Sequence, residues 1–303
     1  MVLVGATGCE ELSARRMLQE ADKLYETGQL EKATTLCDKA LETLGGFDIA
    51  LHNCALIYLK YFKPGIDTPE NLAAANRTTE LLGRYLKVHP EEGKLVDIMT
   101  QVWIDSGQHD KALQYWEANH AKDPGNTEVI GRVATILRMA GRWQDALAWH
   151  EKEFEVEKTP HGKVRALKNI GNLVASKLLY ERASIKWQER LATADIGIYA
   201  MQRAEAIMPD DYEVEQLLGN LFGSRGESHQ PAWAQLFDTA YSRYHYKKFS
   251  ALKLALEGKK PSDESDDSNK PETDAGVDGG ADQGADDKSG DGATKTSATT
   301  PGP

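Results

Sequence analysis

One spacing constrains this chain more than any other property. Gly107 and Gly141 lie 34 residues apart, and each closes one apolar-periodic stretch before the next opens. Ala112 and Ala146, Pro90 and Pro124, Thr100 and Ala134, and Ala21 and Ala55 keep the same interval. Several position classes sharing one period mark an internal repeat, whose units cannot bury an apolar face alone and must stack. Between Ala14 and Leu256 apolar residues recur at three- and four-residue steps, and no period-2 run reads as a strand. The unit is therefore built of helices. Seven prolines (Pro64, Pro69, Pro90, Pro124, Pro160, Pro209 and Pro231) fall at breaks between periodic segments or in first turns. There the missing N–H costs no helical hydrogen bond.

Ala21-Asp-Lys-Leu24-Tyr-Glu-Thr-Gly28-Gln-Leu-Glu-Lys-Ala33 has a small, large, glycine, small order. That order returns in Thr100…Trp103…Gly107…Ala112…Trp116…Pro124 and in Ala134…Leu137…Gly141…Ala146. In these residues the chain resembles the tetratricopeptide repeat family, of bacterial type. Small residues let the two helices of a unit approach, and large ones fill the space beside them. Glycine takes the left-handed conformation that closes the first helix. The resemblance implies an all-α fold: a right-handed α-solenoid of about six helix-turn-helix units with a long C-terminal capping helix.

The pairs are expected at 14–27 with 30–44, 48–62 with 69–88, 92–106 with 109–122, 126–140 with 143–157, 162–191 with 194–207, and 211–225 with 230–256. The second pair carries an insert, Lys63-Pro-Gly-Ile-Asp-Thr-Pro69. In the fifth, Ile170-Gly171 matches the motif's Leu-Gly, yet Pro209 arrives 14 residues late. That excess is expected to extend the first helix by about four turns. In the sixth, Trp233, Phe237, Tyr241 and Tyr244 fall near a four-residue step and are expected to lie on the preceding unit as a cap.

Charge narrows the partners. The chain of 303 residues carries 36 basic and 47 acidic side chains, net −11. Residues 258–303 hold 11 acids and 5 bases, with no aromatic residue and Val277 as the one large aliphatic. Such a segment cannot bury enough apolar surface to offset its backbone entropy, so a disordered acidic tail is expected. An acidic body with an acidic tail lacks the cationic face that nucleic acid or anionic lipid requires. No stretch is apolar enough to span a bilayer. Residues 1–13 read as a flexible leader. Met1-Val-Leu-Val-Gly-Ala-Thr-Gly-Cys9 has no basic segment, and the chain as written reads as cytoplasmic. It also resembles the last third of a bacterial lipoprotein signal, with Ala6 in place of the usual large aliphatic residue. A start lying upstream would make the protein a periplasm-facing lipoprotein anchored at Cys9.

Catalytic signatures are missing: no glycine-rich phosphate loop, G-x-S-x-G, H-E-x-x-H or C-x-x-C occurs. The reading is a non-enzyme without cofactor or metal. His150-Glu-Lys-Glu153 reads as surface charge, because no second His or Cys ligand follows at helical spacing. Cys37 and Cys54 read as small core residues. Trp103, Trp116 and Trp143 occupy inter-helix packing positions.

The resemblance implies a protein-interaction scaffold whose concave groove, lined by the first helix of each pair, takes a partner's segment. The inward positions are Asp22, Tyr25, His52, Leu56 and Leu59 in the first two units, then Lys94, Asp97 and Gln101. Glu128, Arg132, Thr135 and Arg138 follow, then Arg165, Lys168 and Asn172. Lys168 and Asn172 stand where the family's dicarboxylate clamp begins, but Leu217 occupies the place of its next asparagine, so a chaperone clamp is not expected. Arg132, Arg138, Arg165 and Lys168 are either a solvated helix face or a cationic hollow that draws an acidic peptide. In the second case the tethered tail would compete for it. A structural role at the bacterial envelope and an accessory subunit of an enzyme complex stand beside the scaffold reading.

Overall fold

The computed structural model describes residues 7–44 and 46–258, with side chains from Glu10 onward. Among them twelve helices follow one another. They are α1 (Thr7–Glu26), α2 (Leu30–Thr43), α3 (Asp48–Tyr61), α4 (Pro69–Tyr85), α5 (Gly93–Asp105) and α6 (His109–Lys122). The second half holds α7 (Thr127–Met139), α8 (Trp143–Val156), α9 (Pro160–Tyr180), α10 (Trp187–Ile207), α11 (Tyr212–Gly226) and α12 (Ala232–Leu256). Each packs on its neighbour in sequence, while α1 meets α3 and α9 meets α11 across successive pairs. This is stacking in one dimension, where each pair completes the core of the next.

The joints explain the glycines of the repeat. Gly28, Gly107 and Gly141 have φ of 75, 72 and 74°. The residue after each donates its N–H back to the large residue of the motif: Gln29 to Leu24 O at 2.8 Å, Gln108 to Trp103 O at 2.7 Å, and Arg142 to Leu137 O at 2.9 Å. That bond closes the last turn of the first helix and needs a left-handed residue before it. The small residues Ala21, Ala33, Ala55, Ala112, Ala134 and Ala146 are fully buried, as helix–helix approach demands. Trp116 is buried too, and its indole Nε1 donates to Thr100 Oγ1 at 2.9 Å. The insert is tied down by Asn71, whose amide accepts from Lys63 N and donates to Lys63 O and Ile66 O.

Three expectations are corrected. Helix α1 starts at Thr7, so the segment read as a leader over 1–13 is helical from there on; residues 1–6 lie outside the described residues. The first helix of the fifth pair does not run to 191. It ends at Tyr180, and α10 begins at Trp187 instead of 194. Both are 21 residues long against 13 and 14 in α7 and α8, so the excess is shared, about two turns on each. Shared extension lets Val174 and Leu178 pack in one cluster with Ala194 and Ile198. A one-sided extension would leave an apolar stripe bare.

The third correction concerns α12. Trp233, Phe237, Tyr241 and Tyr244 do not form the face laid on α11; all four are exposed, with only Tyr241 stacked against Phe222 at 5.1 Å. The inward face is polar, and its buried members are Ala234, Asp238 and His245. Asp238 receives Arg225 in a two-pronged bond of 2.8 Å each, His245 Nδ1 meets Glu215 Oε2 at 2.7 Å, and Ser242 donates to Gly219 O at 2.9 Å. Gly219, Gly223 and Gly226 of α11 make room for this, since a Cβ there would meet Tyr246, Ser242 and Asp238 at 3.1, 3.4 and 3.1 Å. The tail is described only to Gly258; the rest lies outside the described residues.

Candidate functional site

The first helices of three successive pairs, α5, α7 and α9, line a hollow of about 670 Å³. Its walls carry Asp97 and Gln101 from α5, Glu128, Arg132, Thr135 and Arg138 from α7, and Asn169, Asn172 and Ser176 from α9. Ile104, Ile136 and Leu173 supply apolar surface between them. The helices put these side chains on one side because positions three, four and seven apart share a face. Of the expected site residues, the hollow brings together Arg132, Arg138 and Asn172. Lys168 lines a second, smaller hollow of about 270 Å³ with Asn172, Glu213, Gln216, Leu217 and Asn220. Arg165 lines neither.

Three of the four cations meet carboxylates of the chain itself. Arg132 Nη1 lies 2.6 Å from Asp97 and Nη2 3.1 Å from Glu128, while its guanidinium stands 4.9 Å over the Trp116 ring. Arg165 Nη2 reaches Glu157 at 3.3 Å and Glu153 at 3.6 Å. Lys168 bonds Asp211 at 3.1 Å and also Glu213. Burial works to lower the Lys168 pKa, and the bonds from Glu213 and Asp211 outweigh it, holding the ammonium above the ordinary lysine value. Glu157 is held below the usual carboxylate range, first by the N–H of Thr159, with the charge of Arg165 adding to it. Arg138 is exposed on the rim of the hollow, with no side-chain ion pair among the described residues. The hollow is thus close to charge-balanced, with hydrogen-bonding amides and hydroxyls predominating among its polar groups.

His150 and Glu153 depart from the surface-charge reading. Both are buried, with His150 Nδ1 3.1 Å from Glu153 Oε2, and His150 lines the large hollow. Asn169 Nδ2 donates to the same Glu153 oxygen at 3.4 Å. The i, i+3 spacing of His150 and Glu153 was visible in the sequence; the α9 side chains that bury them were not. Sequence reasoning also missed the trio Glu205, Glu215 and His245. Their donor atoms lie within 4.8 Å of one another, a grouping of metal-ligand type. Lys248 Nζ stands among them, 2.8 Å from Glu205 and 2.6 Å from Glu215, and supplies the positive charge those carboxylates need. Cys37 and Cys54 are fully buried, and the Cys54 side chain followed by burial pushes the Cys37 thiol far up, so Cys37 offers no thiolate. No helix among the described residues is long and apolar enough to cross a membrane.

No protein-family model and no curated protein matches this chain. Among solved structures it is similar to YrrB, described as a TPR protein with an unusual peptide-binding site. Identity there is 20%, over 65% of this chain and 88% of that one, with a TM-score of 0.35. It is also similar to MamA residues 41 to the end from Desulfovibrio magneticus RS-1, at 15% identity over 80% and 96% of the two chains, with a TM-score of 0.31. The architecture stands on the molecule's own geometry: paired helices in series, left-handed glycines at equivalent joints, and a 34-residue interval between Gly107 and Gly141. On that geometry the described residues form an α-solenoid of helix pairs stacked in series.

Proposed function

We propose that the chain is a non-catalytic scaffold that holds an extended segment of another protein in the hollow of α5, α7 and α9. The observation that carries this reading is the make-up of the hollow. Asn172 and Thr135 are exposed on its walls with Gln101 and Ser176 beside them, above the apolar Ile104, Ile136 and Leu173. Amides and hydroxyls suit the alternating donors and acceptors of a peptide backbone, and the apolar surface suits one or two of its side chains. The acidic-partner version narrows to one residue. A carboxylate on the segment would have to compete with Asp97 and Glu128 for Arg132, whereas Arg138 is open to it.

The test compares proteins retained by the full chain with those retained by a Thr135→Trp, Asn172→Trp variant that fills the hollow from exposed positions. Thermal unfolding of the two chains should coincide, and the specifically retained protein should be lost from the variant. Arg138→Glu should weaken retention of a segment that carries a carboxylate. Unchanged retention by the filled variant would remove the hollow from the account.

A further inference from the structure

The outer face of α12 is apolar, and among the described residues nothing covers it. Trp233, Leu236, Phe237, Tyr241 and Tyr244 are 65, 70, 63, 52 and 59% exposed. With Ala240 they follow a three- and four-residue step, a continuous stripe along one side of the helix. A solenoid end needs a polar outer face, and this chain puts its polar face inside, on α11, and its aromatic face outside. That is the surface on which another helix would stack. Residues 259–303 offer little to cover it, with no aromatic residue and one large aliphatic, Val277.

We propose that the occupant is a second copy of this chain, the two α12 helices pairing antiparallel about a two-fold axis at Ala240. The sequence is complementary to itself under that operation. Trp233 faces Lys247 of the other copy, Leu236 faces its Tyr244, and Phe237 faces its Arg243. Arg243 and Lys247 are exposed and make no ion pair within the described chain, so both are available to stand over those rings. Ala240 at the axis lets the backbones approach. Four aromatic side chains of ~150–250 Å² each, about three-fifths exposed, together with Leu236 give roughly 600 Å² per copy and ~1,200 Å² for the pair. That reaches the lower bound of specific interfaces. The contact is isologous, so assembly closes at two copies.

Sedimentation of the full chain should show twice 33.5 kDa at concentrations up to ~100 μM, dissociating on dilution. Phe237→Glu with Tyr244→Glu should give a monomer with an unchanged thermal midpoint. In a Cys9→Ser background, Ala240→Cys should cross-link into a covalent dimer under mild oxidation. Ala251→Cys, on the same face but away from the axis, should not. A wild-type monomer throughout that range, a dimer that survives the double substitution, or equal cross-linking from positions 240 and 251 would each overturn the proposal.

Discussion

Thr100 shows how much one atom of a repeat can decide. Its hydroxyl donates to Val96 O at 2.8 Å and accepts from the buried indole of Trp116 at 2.9 Å. In Thr100→Val the shape stays and the acceptor goes, leaving a buried N–H without a partner. The expected loss is about 1–3 kcal/mol, read from urea unfolding midpoints. A midpoint within error of wild type would mean that water reaches Trp116. The motif residues were legible at this scale because their cause is local: a left-handed joint admits glycine and little else, and closely packed helices select alanine. Arg132 was legible as inward-facing but not as neutralised. Glu128 stands at i, i+4 to it, but its nearer partner Asp97 sits on a different helix, and nothing in the spacing of α7 predicts an ion pair across the stack.

At the scale of elements, α9, α10 and α11 meet at glycines. A Cβ on Gly197 would meet Val174 Cγ1 at 2.8 Å and Leu221 Cδ1 and Cδ2 at 3.0 Å; one on Gly171 would meet the Sδ and Cε of Met201 at 2.8 Å. Valine is stiff at χ1 and methionine is not. Gly197→Ala should therefore cost about 1–3 kcal/mol from overpacking, partly offset by better helix propensity. Gly171→Ala should be close to neutral. Equal effects in urea titrations would contradict this packing. The junction with α12 predicts a pH dependence. Burial works to raise the Glu205 carboxyl, and the hydrogen bond and charge of Lys248 outweigh it, so the folded value lies below the ordinary 4.5. A depressed carboxylate contributes stability that is present above the ordinary value and lost as pH falls through the folded one. Unfolding midpoints should fall below about pH 4.5, and Glu205→Gln should flatten that fall. The same slope in both chains would discard the Glu205–Lys248 pair as its source.

Element boundaries read well wherever glycine or proline marked them and failed where packing set them. The break at 181–186 has no proline. Ile185 packs there on the cluster that holds Val174, Leu178, Ala194 and Ile198, a contact that sequence spacing does not announce. The orientation of α12 was misread for a related reason. An aromatic stripe at helical spacing reads as the buried side, but Asp238, His245 and Lys248 find Arg225, Glu215 and Glu205 on α10 and α11, and those pairs set the rotation.

For the whole molecule, the composition of the tail predicts that it is separable from the solenoid. Residues 259–303 carry too little apolar surface to add to a core, so their deletion should leave the thermal midpoint within about 1 °C of the full chain. A fall of several degrees would show that they pack on the body. The central claim is that the side built by α5, α7 and α9 is where another protein sits. Photo-crosslinking tests it most directly, with benzoylphenylalanine replacing Asn172 or Thr135 in the hollow, or Glu117 on α6 as an exposed control. The account predicts adducts with the retained protein from positions 172 and 135 and none from 117; adducts from 117 with none from 172 or 135 would contradict it.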